Sequence, residues 1–381
     1  MTFVDVQICK TLVEFRQLGQ EWAGLVGECP EQNVFLTHEF LMSWLRSKNM
    51  AAHLAVMIVR RGGQLVTAAP FYIDRRKSGI RTLRFIGDGY SDFGDVLVKR
   101  GSEDALGAIG KALLREGTGW DTLDLKYLPK DSPFANVIRQ ASSVESQFAP
   151  VIGNPFVSVR DDWRENVTTK LRKQLRLGYR NLESKVGTLK LTIAVEPDAV
   201  AEALERFFEL HQCRWIGMKG DISRFAIESE RREYTELFLE MARHGRVIIA
   251  RLEAPVGPVA IAVNLLYAGR LYYCQPAFDP QFAKYSPSKL LIALLLDYCA
   301  REGVAIFDFL RGDEDYKLQW GAQRRDLYRL YARRRTATAC LAMVWDVKWR
   351  ERIRQLELVR RGVRRVRWSL AKRGTTPRPG A

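Results

Sequence analysis

A strand that ends in a cluster of reactive side chains constrains this chain most. Residues 305–310 are apolar except for Asp308, which predicts a short strand inside a sheet, and Gly312 ends it in a polar turn. Asp313, Glu314, Asp315, Tyr316 and Lys317 follow at once, and Trp320 and Gly321 close the stretch. Open α/β sheets place ligands just beyond the carboxyl ends of their strands, so chemistry is expected here. Upstream, residues 270–277 read as another strand, and residues 288–301 as a helix carrying the chain across to Ala305. A strand, a crossover helix and a parallel strand make up this unit.

At 381 residues and 47% hydrophobic content, the chain is long enough for two ordinary domains and can fill two cores. No apolar run approaches the roughly 18 residues of a membrane span. The opening MTFVDVQICK lacks a basic stretch followed by an apolar core, so a cytoplasmic location is expected. Six cysteines are scattered without CxxC spacing and read as buried, reduced thiols. The four histidines include no pair at metal-ligand spacing, and no metal is expected.

The formal charge of +16 is unevenly placed. Residues 345–381 hold 12 Lys and Arg against 3 Asp and Glu, so over half of the excess belongs to a tail. Trp349, Ile353, Leu356, Val363, Val366 and Leu370 recur there at helical steps, with arginines around them. A basic amphipathic helix over 341–381 is expected to dock on an anionic membrane surface at the inner face of the cytoplasmic membrane. A helix packed on the protein's own core is the plainer alternative. The tail's tryptophans suit an interface better than a phosphate groove, which makes nucleic acid the less favoured partner.

The first half predicts a strand at 3–9, helices at 12–26 and 37–46, and strand-like runs at 52–60, 65–72 and 81–86, the last continuing loosely to 98. Gly62-Gly63 marks a hairpin. A helix at 103–115 and a strand at 122–125 follow. The second half repeats that order, with a strand at 189–195, helices at 198–215 and 229–244, and strands at 247–252, 259–267 and 271–277 before the helix and strand already described. Two copies of one α/β unit, residues 1–152 and 153–340, are expected, with a boundary near 150–155. Between them, residues 161–185 form a basic helix with Lys170, Arg172, Lys173, Arg176 and Arg180 and no acid between Glu165 and Glu183. Such a helix is either a solvated face or a positive wall toward phosphates or acidic headgroups.

The helix at 288–301 starts behind the turn at 283–289, where Lys284, Ser286, Ser288 and Lys289 surround free N–H groups and a positive dipole end suited to phosphate. Pro287 at the helix start explains part of the same pattern in a plainer way. The candidates for proton transfer are Asp308, Asp313, Glu314 and Tyr316, with Lys317 able to stabilise an oxyanion. Asp308 is either functional or satisfied by a buried partner. Tyr316 and Lys317 lie past the strand end, so replacing them is expected to depress turnover more than folding. His211 is a candidate base, with a packed helix histidine as the plainer reading. The polar loop at 87–95 offers Asp92 to a cleft.

The stretches LYYCQPAFDPQFAKYSPSKLL and FDFLRGDEDYKLQWG resemble the GNAT-type acyl-CoA N-acyltransferase superfamily. The branch resembled holds the Fem-type peptidyltransferases and the acyltransferases associated with cellulose biosynthesis. LRKQLRLGYRNLESKVG and FFELHQCRW look like that branch in the same order, so residues 156–334 are covered well and the first 150 loosely. One departure is Ser288, where relatives often carry Gly. The resemblance implies tandem GNAT-like halves of mixed α/β sheet. It also implies a pantetheine arm lying along Tyr273, Gln275 and Ala277, a pyrophosphate at Lys284, Ser286, Ser288 and Lys289, and a functional Lys317. Arg172, Arg176, Arg180, Arg214, Trp215 and Asp92 become acceptor-binding candidates.

The activity this implies is acyl transfer from acyl-CoA, a co-substrate, to the amine of an amino lipid such as a sphingoid base, or of a sugar or polysaccharide precursor. One alternative is a Fem-like enzyme using aminoacyl-tRNA on a cell-wall precursor. Another is a non-catalytic membrane- or nucleic-acid-binding protein on a degenerate transferase fold. Fem-type tRNA users often insert a long helical arm in the second half, and residues 229–244 are too few for one.

Overall fold

The computed structural model describes residues 6–50, 53–75, 79–115, 118–160, 162–219 and 222–335. The basic tail expected over 341–381 lies outside them. In the first half come β1 (Val6–Cys9), α1 (Leu12–Gln17), α2 (Gly19–Glu28), α3 (His38–Ser47), β2 (Val56–Arg61), β3 (Gln64–Ala69), β4 (Phe71–Arg75) and β5 (Arg81–Phe85). After them come β6 (Leu97–Val98), α4 (Ala105–Leu114), β7 (Thr122–Pro129), α5 (Pro133–Arg139) and β8 (Val144–Ser158). The second half contains α6 (Thr169–Val186), β9 (Lys190–Ala194), α7 (Pro197–Arg214), α8 (Glu228–Arg243), β10 (Val247–Ala254), β11 (Gly257–Tyr267) and β12 (Arg270–Phe278). It ends with α9 (Pro287–Arg301), β13 (Ile306–Asp308), α10 (Asp315–Leu318) and β14 (Gln323–Arg334).

The strands form a four-stranded sheet, β1-β2-β3-β6, and a ten-stranded sheet, β4-β5-β7-β14-β8-β13-β12-β11-β10-β9. The large sheet reads almost the same from either end. Its two parallel pairs, β5 with β7 and β12 with β13, lie on opposite sides of the central antiparallel pair β14 and β8. In each pair a helix, α4 or α9, carries the chain between the partners. The duplicated α/β unit is therefore present, and the copies exchange strands: β14 from the second half pairs with β7 of the first, and β8 pairs with β13. Residues 150–155 fall inside β8, so the sheet runs without a break from one half into the other.

Alternation along the strands explains the layers. Ile248, Ala250, Ala260, Ala262, Leu271 and Tyr273 turn to one face, in a core with Leu171 and Leu182 of α6 and Leu291 and Leu295 of α9. Ile249, Ile261, Val263 and Tyr272 turn to the other, in a core with Phe207 of α7 and Phe238 of α8. That second core is shared between the halves, because Trp22, Phe40 and Trp44 of the first half belong to it, and the Phe35 and Tyr272 rings lie 5.5 Å apart. A third core holds α4 and α5 on the first half, and β14 supplies its Leu330 and Ala332.

Because β14 completes the first half's core, Leu330→Ala should cost about 2–5 kcal/mol, as other fully buried truncations do. The check is urea unfolding followed by tryptophan fluorescence and by far-UV circular dichroism. Both probes should shift together to lower urea. Separate transitions for the two halves would show that the shared sheet does not couple them.

Candidate active site

β13 is three residues long and ends in strained backbone. Leu310 has φ 58°, in the left-handed region that costs a non-glycine residue about 1–2 kcal/mol. Two side chains hold it there: Asp308 Oδ1 accepts from the Leu310 N–H at 2.8 Å, and Lys317 Nζ lies 3.5 Å from the Leu310 carbonyl. Lys317 Nζ also donates to the Arg311 carbonyl at 3.1 Å and pairs with Glu314 at 3.0 Å. Gly312, at φ 142°, leaves room for this, since a Cβ there would lie 2.1 Å from Glu314 Oε2 and 2.5 Å from Lys317 Nζ. Lys317 lies past the strand end and is nonetheless only 4% exposed. Removing its ammonium would strand two buried carbonyls, and folding would suffer along with turnover.

Asp308 is fully buried. It accepts from Asn154 Nδ2 of β8 at 2.7 Å and pairs with Arg325 of β14 at 3.0 Å and Arg270 of β12 at 3.4 Å. Burial pushes its carboxyl up, while Arg325, Asn154 and Arg270 pull it back. The turn beyond is bound to β8 as well, through Gly153 N–H on Asp313 Oδ1 at 3.2 Å.

β12 follows β13 only from Arg270 to Tyr272. Beyond that point Tyr273, Gln275 and Ala277 continue beside β11 alone, and a register shift opposite Val263/Asn264 bulges the strand at Cys274. The two strands therefore splay toward the candidate residues, and the edge of β12 facing the gap is unpaired. Arg214, at the end of α7, donates to the Pro276 carbonyl at 3.0 Å and packs over the Phe278 ring. Burial pulls its pKa down, and it has no carboxylate partner among the described residues. Tyr316 stands near it, its hydroxyl pushed up to about 12 by burial.

At the same end, α9 begins after Ser286, which is left-handed at φ 57°. Gln174 of α6 fixes this turn by donating to Ser286 Oγ at 2.9 Å and accepting from Lys289 Nζ at 3.1 Å. Burial, with Lys170 nearby, pulls the Lys289 pKa down. Ser288 Oγ is buried without a hydrogen-bond partner, as is the Tyr273 hydroxyl. Lys284 is exposed beside them.

The loop at 87–95 comes from the first half. Arg311 Nε lies 2.5 Å from Asp92 Oδ1, too poorly aligned for a hydrogen bond, and leaves that oxygen without one. Burial lifts the Asp92 carboxyl to about 6, against the pull of Arg311. Its charge also helps hold the Cys274 thiol up, which places it within electrostatic reach of β12.

Of the residues singled out from sequence, the structure gathers Asp92, Arg214, Tyr273, Gln275, Ala277, Tyr316 and Lys317 around the splay, and Lys284, Ser286, Ser288 and Lys289 at the α9 start. His211 is 1% exposed, with Nδ1 2.8 Å from Ser223 Oγ and Nε2 near Trp215 and Gln275. Trp215 stacks on it. Asp313 and Glu314 are on the surface, and Arg172, Arg176 and Arg180 lie on the exposed face of α6. Sequence reading missed Asn154, Arg270, Arg311, Arg325 and Gln174. Only Arg311, inside the FLRGDEDYK stretch, carried a local signal.

Asp92 and Asp95, lifted to about 6 and about 7, bind protons more tightly in the folded chain than in the unfolded one. Stability should therefore fall as pH rises from about 4 to about 7 and level off above. An Asp92→Asn/Asp95→Asn chain should show a shallower fall in urea midpoint over that window. An unchanged slope would mean that neither carboxyl is lifted.

An Acetyltransferase (GNAT) domain family model matches residues 169–318. No curated protein matches. Among solved structures, FemX shares 11% identity at a TM-score of 0.61, covering 82% of this chain and 95% of its own. The C-terminal domain of a putative lysylphosphatidylglycerol synthetase from Agrobacterium fabrum shares 11% at 0.53, covering 87% and 95%. L-PGS from Bacillus licheniformis shares 11% at 0.52, covering 85% and 94%. These likenesses speak for the fold. With the matched domain, they show that residues 169–318 form a GNAT-type acetyltransferase domain within a fold shared with these structures.

Proposed function

We propose that the chain transfers an acyl group from a CoA thioester to a primary amine. The observation that carries this reading is the splay of β12 from β13, opening onto a helix start with two lysines and an unsatisfied buried hydroxyl. The pantetheine arm would lie along the unpaired edge of β12, and the diphosphate against Ser288, Lys289 and Lys284. Among the described residues between α7 and β10 the one long helix is α8, which packs on α3 and α7. That favours CoA over an aminoacyl-tRNA donor. The exposed cations of α6 support the tRNA alternative, which predicts tight, salt-sensitive RNA binding.

In this reading the amine nitrogen attacks the thioester carbonyl, forming the C–N bond and an oxyanion. Arg214, a cation without a carboxylate partner among the described residues, stabilises that negative charge. Asp92, ionised near neutral pH, takes the proton from nitrogen. Collapse breaks the C–S bond, and Tyr316, a hydroxyl that stays protonated at neutral pH, gives its proton to the departing thiolate. Lys317 and Asp308 position the strand end instead of touching substrate.

Two changes separate binding from chemistry. Ser288→Asp should weaken CoA-thioester binding at least about tenfold by calorimetry, because it sets a charge against the diphosphate. Asp92→Asn should leave that affinity intact and lower the rate of thiol release by about 10²–10⁴, the usual range for a lost general base. Unchanged binding in the first would move the donor elsewhere, and unchanged rate in the second would remove Asp92 from the reaction.

The acceptor we propose is an amino lipid, with a saccharide amine as the alternative. Among the described residues no helix is long and apolar enough to cross a membrane. Residues 345–381 carry most of the excess positive charge, and a basic amphipathic segment of that kind holds an enzyme at an anionic bilayer by about 1 kcal/mol per engaged cation. The full chain should float with anionic vesicles, and a chain ending at Arg335 should not. Equal flotation of both would contradict membrane docking through the tail.

A further inference from the structure

The first half has an equivalent of each part of the splayed site, and each has changed. β5 and β7 pair only at Thr82–Thr122 and Leu83–Leu123 before parting. The chain's own loop enters this gap: Gly94 donates from its N–H to the Tyr127 carbonyl at 3.2 Å, and a Cβ on Gly94 would lie 2.7 Å from the Phe85 ring. Only about 20 Å³ remains there. The start of α4, which corresponds to the start of α9, carries Glu103 and Asp104 where α9 has lysines nearby. This half therefore repels a diphosphate.

Beyond the filled gap lies a cavity of about 630 Å³ between the loop at 93–98, the β7–α5 turn and β14. Leu36, Phe93, Leu97 and Leu327 give it apolar walls, and Asp95 sits within it. Both hydrogen bonds to that carboxylate, from Val96 N–H at 2.8 Å and Ser132 Oγ at 2.9 Å, fall on Oδ1. Among the described residues Oδ2 has no partner, and no cation pairs with Asp95. Asp95 is only partly buried, and a carboxylate held at the cavity wall without a cation lacks charge compensation. The other acids at the cavity are Glu31, Glu103, Asp131 and Asp326; its cations are Lys130 and Arg325. Arg325 is already committed to Asp308 and Glu31. In a chain of net charge +16, this is a negatively charged, apolar-walled cavity.

We propose that this cavity binds a long-chain primary amine, the alkyl body against the apolar walls and the ammonium on Asp95. A metal ion is disfavoured by the single inward carboxylate and apolar lining; among the described residues no group of ligands could hold one. The site is separate from the splay between β12 and β13 and does not depend on the transfer proposed there. It borders that site through Arg325, which lines the cavity and pairs with Asp308.

Burial lifts the Asp95 carboxyl to about 7, with Asp131 and Glu31 adding to the effect. The groups facing it are Ser132 and Asp131 from the turn before α5, and Cys29 and Glu31 from the exit of α2. An ammonium must displace that proton, so amine binding should weaken as pH drops below about 7.

The test uses the full chain and n-dodecylamine below its micelle concentration, with n-dodecanol and dodecanoate as comparators, read by calorimetry. Dodecylamine should bind at least about tenfold tighter than the alcohol, and Asp95→Asn should cancel that preference and its pH dependence. Should Asp95→Asn fail to fold by circular dichroism, the rim variant Glu103→Gln/Asp131→Asn decides, with an expected loss of about three- to tenfold. Equal affinity for amine and alcohol, or a preference untouched in the folded variants, would overturn the proposal.

Discussion

The structure depends on how one buried carboxylate is satisfied. Asp308 ends β13 without contact with water, and an isolated charge there would cost several kcal/mol. Its partners come from four directions: Asn154 from β8, Arg270 from β12, Arg325 from β14 and the Leu310 backbone beyond its own strand. Glu31, in the segment between α2 and α3, joins from the first half through Arg270 and Arg325. Each partner lies on a different element, so the group is satisfied only when both halves are folded and in register. The same contacts hold Leu310 in its left-handed turn and thereby aim Arg311 at Asp92. Positioning, in this account, is what Asp308 and Lys317 supply.

The exchange of β8 and β14 gives this arrangement its reach. Each strand pairs with elements of the opposite half, and β14 carries arginines that would be out of place in a central strand if they were unpaired. Arg325 meets Asp308 and Glu31, Arg329 meets Asp124 and Arg333 meets Glu145. Duplication then leaves two splayed pairs in one sheet. The second half keeps its splay open beside a basic helix start, while the first fills its own with Phe93 and Gly94 and places acids at the matching helix. That loop also places Asp92 against Arg311 of the second half, so the two halves meet at the end of β13.

Much of the second half was legible in the sequence. The strand, helix and strand from β12 to β13 follow from apolar periodicity, and Ser286, Ser288 and Lys289 stand at the α9 start because a turn followed by Pro at the first helical position has few other readings. β8 was not legible, since Pro150 and Pro155 read as a boundary; Pro150 is tolerated because the β14 ladder shifts register opposite it. β14 was hidden by its arginines, whose acid partners are distant in sequence. The burial of Lys317 was not legible, because nothing local shows that the chain folds back over it. The helix expected at 12–26 is two helices, parted at Leu18. Tertiary pairing decides each of these, and no local window contains it.

The central claim is that the open splay beside β12 receives the thioester arm and the α9 start its diphosphate. Amide hydrogen exchange of the full chain, with and without a non-hydrolysable CoA thioester analogue, tests it most directly. Protection is expected to be confined to the unpaired edge of β12 from Cys274 to Phe278 and to the turn from Ser286 to Leu290. The loop at 87–95 and the start of α4 should stay unchanged. Protection of the first half's gap with none along β12 would contradict it.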